Sequence, residues 1–200
     1  MNIIFDIDGT LMDIEHRRHF VEDSKEVKSL KEALDNLSEI EGDEWIFLTN
    51  KIKELSVKKD WKSFVANIKY DIPNEPVASV MSDLNTYNNA IFFLTGRSEA
   101  QRELTINQIE RCGYEHQNQC ADLIPKDDYE RLYYSGGHYD QILLMRPDDD
   151  YRPDAELKSE LFDKLDLVYS DTIIFDDRQS VVDMWRARGL TCFQVTKGDF

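Results

Sequence analysis

The sequence predicts an α/β fold with a mostly parallel β-sheet, and three observations support this. Short apolar runs rich in Ile, Phe, Leu and Val lack polar alternation, as strands buried on both faces do. Amphipathic helical segments lie between these runs. Strands that alternate with helices form a parallel sheet that helices cover on both sides. The five predicted strands cover residues 2–7, 90–95, 141–145, 172–175 and 191–195.

Three helices with recognisable ends are predicted in the second half of the chain. Ser98 and Asp154 are candidate N-caps, because their side-chain oxygens can accept from backbone N–H groups of a first turn. Gly113 and Gly189 are candidate closing residues. The helices are predicted at residues 98–111, 154–165 and 180–188.

Residues 14–76 differ from the rest of the chain, because they contain three helical apolar stripes and no convincing strand. We predict a core made of residues 1–13 and 77–200, with residues 14–76 as a helical insert after the first strand. An insert at this point of an α/β sheet is a candidate cap over the carboxyl ends of the strands. The alternative is a side domain that adds bulk or an oligomer contact. The sequence does not specify an oligomeric state.

Composition narrows the classes of function. The formal net charge of −16 disfavours broad sequence-independent binding along a nucleic-acid duplex, although a local arginine cluster can still accept one terminal phosphate. No long uncharged apolar run is present, so no membrane partner is expected. Three cysteines do not suggest a disulfide framework, and a reducing cytoplasm is the expected location.

A zinc site around Cys112, His116 and Cys120 is a minor alternative, because the spacing matches no common zinc signature. The polar stretch at residues 114–139 is predicted to be irregular. It is either a substrate-side loop or a mobile excursion, and its composition does not choose between them.

The run Asp6-Ile7-Asp8-Gly9-Thr10 carries the first chemical signal. It follows an apolar strand, and Gly9 lets the chain turn so that both carboxylates converge at the sheet edge. One carboxylate can attack phosphorus as a nucleophile, and the other can serve as a general acid and base. The alternative, two acids that merely cap a turn, is weaker in this context.

The run Thr95-Gly96-Arg97 ends the second core strand. A hydroxyl, a flexible backbone amide and a guanidinium at a helix N-terminus are suited to hold a phosphate. Taken alone, this run would favour a Thr-Gly turn with a surface arginine.

Asp176 and Asp177 end the fourth predicted strand, and Lys158 lies on the predicted helix that begins near Asp154. Two adjacent acids at a buried strand end need compensation by a cation or a basic group. Lys158 is a candidate to neutralise them and to hold a phosphoryl group, whereas on its own a lysine on a helix is more often solvated. Hard oxygen ligands suit Mg²⁺, the predicted cofactor. The predicted ligands are Asp6, Asp8, Asp176 and Asp177.

These four runs, in this order at strand ends, resemble the pattern of the haloacid dehalogenase superfamily. The resemblance implies a Rossmann-like three-layer fold with a cap after the first strand. It implies Asp6 as nucleophile, Asp8 as acid and base, and Thr95 and Lys158 as phosphate ligands. In that superfamily, a second acid in the first motif indicates phosphoryl transfer rather than dehalogenation, so a phosphatase is expected.

A narrower resemblance links the chain to the 3′-phosphatase domains of bacteriophage polynucleotide kinases. It rests on residues 13–17, 145–158 and the tail at residues 173–200. It implies substrate-contacting roles for Gly96, Arg97, Arg146, Arg152 and Asp154, with Asp154 also orienting Lys158. The chain departs from the bifunctional enzymes because it has no Gly-x-x-x-x-Gly-Lys-Ser/Thr run, and its insert is longer than expected.

Three functions follow from these patterns. The first is a phosphatase of 3′-phosphate ends of nucleic acid, which the tail resemblance favours. The second is a phosphatase of free nucleotides or another small phosphate ester, which the acidic composition and the insert favour. The third is a non-catalytic binding protein on the same fold, which the complete set of catalytic residues disfavours. Whether His16, Arg17 or His19 contacts substrate is left open by the sequence.

Overall fold

The structure is a computed structural model, and it describes residues 1–36, 42–86, 88–114 and 142–198. The described chain divides into two compact units. One unit, the core, comprises Met1–Asp13 and the described residues from Ile72 onward, and the other comprises Ile14–Asp71. Both boundaries fall within, or at the edge of, the predicted insert at residues 14–76.

A five-stranded sheet, all of whose neighbouring strands are parallel, forms the centre of the core. Its strand order is β5-β4-β1-β6-β7, and β2 and β3 form a separate antiparallel pair. The predicted α/β fold class is therefore confirmed. The strands are β1 (Asn2–Phe5), β2 (Met12–Asp13), β3 (Ile72–Pro73), β4 (Ala90–Ser98), β5 (Ile142–Arg146), β6 (Thr172–Arg178) and β7 (Thr191–Gly198).

The helices of the described residues fall into both units. None of them is long and apolar enough to cross a bilayer. Short 3-10 turns at Ile68–Tyr70, Glu99–Gln101 and Tyr169–Asp171 connect some of them. The α-helices are α1 (Glu15–Arg18), α2 (Lys25–Asn36), α3 (Asp43–Leu55), α4 (Trp61–Ala66), α5 (Glu75–Leu84), α6 (Arg102–Arg111), α7 (Asp154–Asp163) and α8 (Gln179–Ala187).

Apolar packing on the sheet fixes the positions of the strand ends. Ile3, Ile4 and Phe5 of β1 are buried on both faces of the sheet, because β1 is its central strand. Phe5 stacks on Phe175 of β6, with ring centroids 4.7 Å apart. Burial of each such side chain contributes roughly 1.5–3 kcal/mol to folding. The central strand therefore has little freedom to slip against its neighbours.

Several element ends differ from the sequence prediction. The strands β4, β6 and β7 each continue three residues beyond their apolar runs, since backbone pairing does not require apolar side chains. The prediction of Asp154 as an N-cap is wrong: Pro153 occupies that position, and the Asp154 carboxylate pairs with Arg146 instead. The helix α5, which has a proline in its first turn, was not predicted.

A buried ion pair lies inside the unit Ile14–Asp71. Nε of Arg17 donates to Oδ1 of Asp71 at 2.7 Å, and a second guanidinium nitrogen donates to Oδ2 at 2.7 Å. Both side chains are fully buried, and the guanidinium also lies 4.1 Å from the ring centroid of Phe64. Arg17 therefore organises this unit from its interior. Nε2 of His16 lies 3.6 Å from Oδ1 of Asp71, and the His19 ring lies 4.0 Å from the Phe20 ring at an angle of 39°.

Replacing Asp71 by alanine is expected to lower the free energy of unfolding by about 3–5 kcal/mol, because the Arg17 charge would stay buried without its partner. As a control, Lys51→Ala removes an exposed ion pair with Glu26 and should cost less than about 1 kcal/mol. Urea unfolding followed by circular dichroism measures both changes. Equal effects of the two substitutions would contradict the anchoring role of the buried pair.

Candidate active site

Strand register brings the polar strand ends to one edge of the sheet. Phe5 pairs with Phe93 of β4 on one side and with Phe175 of β6 on the other. Asp6 is the next residue, and its N–H donates to the carbonyl of Phe175 at 3.0 Å. Asp6 is therefore level with Asp176, the residue after Phe175.

The chain turns sharply after Asp6. The N–H of Met12 donates to the carbonyl of Ile7 at 2.8 Å, and the N–H of Gly9 donates to the carbonyl of Met12 at 2.9 Å. Gly9 has a φ of 84°, which a residue with a side chain adopts only with strain. This turn keeps Asp6 buried and leaves the Asp8 side chain partly exposed, at 16%. The two acids therefore sit in different environments.

Three buried carboxylates converge at the carboxyl edge of the sheet around one lysine. Oxygen atoms of Asp6, Asp176 and Asp177 lie within 4.8 Å of one another. Nζ of Lys158, on the first turns of α7, donates to Oδ1 of Asp6 at 2.7 Å and to Oδ2 of Asp176 at 2.8 Å. Lys158 is only 2% exposed, so this contact is made away from water. The lysine that the sequence predicted for this place is thus at its centre.

The close packing of these charges shifts the pKa values of Asp6 and Lys158. Burial raises the pKa of Asp6, Lys158 opposes this, and the carboxylates of Asp176 and Asp177 raise the pKa further, so it lies well above the ordinary range. Burial lowers the pKa of Lys158, but the carboxylates of Asp176, Asp6 and Asp154 raise it by more, so the net shift is upward. Lys158 hydrogen-bonds to two of the three carboxylates, and the pKa of Asp6 remains raised. The cluster therefore favours either a proton or a further cation.

The same three acids are the group in the described chain whose ligand atoms could share a metal ion. All the donors are carboxylate oxygens, which suit a hard cation. Asp8, which was predicted as a fourth ligand, is not a member of this group. Its carboxylate is paired with Arg97 instead.

Arg97 holds Asp8 in place rather than lying open to solvent. Nε of Arg97 donates to Oδ1 of Asp8 at 2.8 Å. The guanidinium, 1% exposed, also donates to Thr105 at 3.2 Å and to Gln108 at 2.5 Å, both on α6. The contacts with α6 hold the Arg97 guanidinium in place, and the guanidinium in turn positions the Asp8 carboxylate. Arg97 was predicted as a substrate ligand, and the structure gives it an internal partner.

Thr95 and Gly96 form the bend that follows the apolar part of β4. Thr95 is buried, and its Oγ1 accepts from the N–H of Arg97 at 3.2 Å. A Cβ on Gly96 would lie 2.6 Å from Oδ2 of Asp154, which is closer than van der Waals contact allows. Glycine is therefore required here so that Asp154 can pack beneath the bend.

Asp154 lies between two arginines. Its carboxylate pairs with Arg146, and its Oδ2 lies 2.9 Å from a guanidinium nitrogen of Arg178. It contributes to the field on Lys158, but the described hydrogen bonds of Lys158 go to Asp6 and Asp176. Asp154 therefore acts on the lysine through charge rather than through a direct bond.

The two remaining predicted substrate ligands also have internal partners. Nε of Arg146 donates to the carbonyl of Gly96 at 2.9 Å, and another nitrogen donates to the carbonyl of Arg152 at 2.8 Å. The Arg152 side chain, 45% exposed, pairs with Asp150 and Glu160. Arg146 thus ties the segment before α7 to the Gly96 bend, while Arg152 lies at the surface.

Sequence reasoning missed three residues that shape this region. Gln108 holds Arg97, and Arg178 pairs with Asp154. Gly198, at the end of β7, approaches Asp177 so closely that a Cβ would lie 3.0 Å from its carboxylate carbon. Gly198 could have been found from the sequence, because a glycine within the tail motif suggests a close approach of the backbone. Nothing in the sequence distinguishes Gln108 or Arg178 from other polar residues on a helix or after a strand.

The minor zinc alternative gains no support from the described residues. Sγ of Cys112 faces the carbonyl of Leu11 at 3.7 Å and the sulfur of Met12 at 3.6 Å. Burial raises the pKa of the Cys112 thiol to about 11. Cys112 is thus a packed core residue, while His116, Cys120 and the rest of the predicted irregular stretch beyond Tyr114 lie outside the described residues.

A parallel α/β sheet with buried aspartates and a lysine at its carboxyl edge defines a phosphatase of the haloacid dehalogenase type. Within that class, the family model for the polynucleotide kinase PNKP phosphatase domain matches residues 57–200, and the chain belongs to this family. The matched residues include Thr95, Lys158, Asp176 and Asp177, while Asp6 and Asp8 precede them.

Solved structures agree with this assignment. A chain in a structure of a Pnkp1/Rnl/Hen1 complex is 26% identical, with a TM-score of 0.56; the alignment covers 100% of this chain and 47% of that one. A chain of the Pnkp1/Rnl/Hen1 RNA repair complex is also 26% identical, with a TM-score of 0.53, at 100% and 43% coverage. The present chain thus spans less than half of either. A predicted phosphatase from Clostridium acetobutylicum shares the fold, with 13% identity, a TM-score of 0.54 and coverage of 96% and 83%.

Proposed function

We propose that this protein is a Mg²⁺-dependent phosphomonoesterase that removes 3′-phosphates from nucleic-acid ends through a phospho-aspartate on Asp6. The observation that carries the chemistry is the buried cluster of Asp6, Asp176, Asp177 and Lys158, with Asp8 held beside it by Arg97. A nucleophile, a separately held acid and a fixed ammonium are the parts that phosphoryl transfer to a carboxylate needs.

The reaction has two displacement steps. In the first, an oxygen of Asp6 attacks phosphorus, the bond to the ester oxygen breaks, and Asp8 gives its proton to that leaving oxygen. In the second, Asp8 takes a proton from water as the water oxygen attacks phosphorus, and the bond to Asp6 breaks. Inorganic phosphate leaves, and both carboxyl groups return to their starting states.

Asp6, Asp176 and Asp177 would hold Mg²⁺, and the ion would supply positive charge that offsets the carboxylates and the phosphate. Lys158 contributes the fixed charge on the protein side, because two of its hydrogen bonds already anchor its ammonium. Thr95 and Gly96, at the bend after β4, are proposed to contact the transferred phosphate. Arg146 and Asp154 are proposed to support that bend, and Arg152 to contact the substrate from the surface.

The choice of a 3′-phosphorylated strand end as substrate is supported by the family of the chain. The family model describes the phosphatase domain of a polynucleotide kinase, and one similar chain is part of an RNA repair complex. The helical insert at residues 14–76 is proposed as a substrate-specificity cap. A second candidate, a phosphatase of free nucleotides or other small esters, is favoured by the net charge of −16.

A substrate panel tests this proposal. With Mg²⁺ present, kcat/KM for a 3′-phosphorylated oligonucleotide should exceed that for nucleoside 3′-monophosphates and for p-nitrophenyl phosphate by about tenfold or more, since only the strand offers contacts beyond its terminal nucleotide. A 5′-phosphorylated oligonucleotide of the same sequence is the matched control and should react poorly. If the monophosphates win by tenfold, the small-ester candidate replaces the strand-end candidate.

A further inference from the structure

Residues 58–70 of the helical unit present lysines interleaved with aromatic rings. This segment has four lysines and one acidic residue, whereas the whole chain has 24 basic and 40 acidic residues. Trp61 is 46% exposed and Tyr70 is 60% exposed. We call the following six exposed residues the basic aromatic surface: Lys58, Lys59, Trp61, Lys62, Lys69 and Tyr70.

The four lysines of this surface form no direct ion pairs within the described part of the chain. Among the described residues, no carboxylate forms a salt bridge with any of the four, although Lys59 and Lys62 act through charge on Asp23 and Asp60. Elsewhere in the same unit, lysines on α2 and α3 are paired: Lys28 with Glu22, Lys31 with Asp23 and Lys51 with Glu26.

The one acid of the segment, Asp60, is occupied by a local contact. Its carboxylate accepts from the N–H of Ser63 at 3.0 Å and from the Ser63 hydroxyl at 2.7 Å, which caps α4. Asp60 therefore feels the charge of Lys62 but forms no direct ion pair with it, and one acid faces four ammonium groups in this segment.

The interior of the unit holds the Trp61 ring in place. Trp61 packs edge-on against Phe64, with centroids 5.6 Å apart, and Phe64 is 4% exposed. The buried Arg17 lies over Phe64 from within, held by Asp71. On the outside, Nζ of Lys59 lies 5.6 Å from the Trp61 centroid and Nζ of Lys69 lies 5.0 Å from the Tyr70 centroid. Each exposed ring thus has an ammonium over it, an arrangement suited to a flat group that is joined to an anion.

We propose that the basic aromatic surface binds a single-stranded stretch of nucleic acid. Bases stack on Trp61 and Tyr70, and the lysines contact the phosphates between them. An unpaired strand is favoured over a duplex because only unstacked bases expose their faces to a ring. The proposal rests on the proposed function, since it names the kind of strand whose end the phosphatase acts on. It also locates a local positive charge in a chain that otherwise repels nucleic acid.

Binding of a fluorescent single-stranded oligonucleotide with a 3′-hydroxyl end, measured by anisotropy on the full chain at low salt, tests the surface. Trp61→Ala should raise Kd about tenfold, within the range of one lost base stack. The triple variant Lys58→Gln, Lys59→Gln, Lys62→Gln should weaken binding and reduce the slope of log K against log salt by about two, at roughly 0.7 per lost phosphate contact.

Matched controls lie on α3 of the same unit. Trp45, 43% exposed, and Lys53, also exposed, are outside the surface, so Trp45→Ala and Lys53→Gln should leave Kd unchanged. Equal losses in Trp45→Ala and Trp61→Ala would overturn the proposal. So would binding of duplex as tightly as single strand, or the absence of any oligonucleotide binding, which would fit a protein partner instead.

Turnover separates this inference from the proposed function. The triple lysine variant should raise KM for a 3′-phosphorylated oligonucleotide with kcat retained, and should hydrolyse p-nitrophenyl phosphate like the wild type. An unchanged KM for the oligonucleotide would overturn the proposal that the basic aromatic surface binds the strand, while leaving the phosphatase proposal intact. A wild type that binds strands but does not dephosphorylate their ends overturns the phosphatase proposal instead.

Discussion

Asp6→Asn should abolish phosphatase activity while leaving the fold at least as stable as in the wild type. The amide is not a nucleophile, so kcat should fall by roughly 10⁴-fold or more, as happens when other enzymes lose a nucleophile. Steady-state release of phosphate from a 3′-phosphorylated oligonucleotide measures this loss.

The direction of the change in the free energy of unfolding of Asp6→Asn can also be predicted. Burial and the neighbouring carboxylates raise the pKa of Asp6 in the folded protein, so the folded state binds more protons than the unfolded state between the unfolded and the folded pKa. Without Mg²⁺, the ionised Asp6 therefore costs stability as pH rises through this window. Asn removes that cost, so urea unfolding at neutral pH should show equal or greater stability. Retained turnover in Asp6→Asn would contradict the role of Asp6.

Lys158→Met should damage both catalysis and stability. The substitution removes the one ammonium that is hydrogen-bonded to both Asp6 and Asp176, so three buried carboxylates would face one another. We expect kcat to fall by about 10²–10³-fold, the scale of losing one preorganised charge. The free energy of unfolding without metal should fall by about 3–5 kcal/mol, because a buried charge pair loses one partner.

Mg²⁺ distinguishes a charge effect from a packing effect in this variant. If the carboxylates repel one another, added Mg²⁺ should restore part of the stability of Lys158→Met, whereas a packing defect would not respond. Lys164→Met is the matched control, since Lys164 follows the same helix, is about half exposed and pairs only with Glu160. It should change neither quantity appreciably. Full activity of Lys158→Met would contradict the proposed role of the lysine.

The sequence predicted the part of this site that depends on backbone topology. Parallel strands end at one edge, so apolar runs followed by Asp6 and by Asp176-Asp177 had to bring those acids together. Lys158 could be anticipated because buried acids need a compensating charge. The fold class followed from the same alternation of strands and helices.

The choice of partner for each side chain was not predictable in the same way. Arg97 pairs with Asp8, and Arg146 binds backbone carbonyls, because several acceptors compete for each guanidinium and rotamers decide the result. Asp154 has the residue type and position of an N-cap, but the arginines on either side attract its carboxylate more strongly than the helix end does. At these residues, ion pairs and hydrogen bonds with distant parts of the chain outweigh the local preference of the residue type.

Chemical trapping of the covalent intermediate tests the central claim most directly. Rapid quenching during turnover of a 3′-phosphorylated oligonucleotide, followed by borohydride reduction, converts an aspartyl phosphate to homoserine that peptide mass spectrometry can locate. With p-nitrophenyl phosphate, whose leaving group departs without protonation, the Asp8→Asn variant should form the intermediate and accumulate it, because the second displacement lacks its base. We predict homoserine at position 6 and nowhere else. Product formation without any covalent adduct, or an adduct at another residue, would contradict the phospho-aspartate mechanism at Asp6.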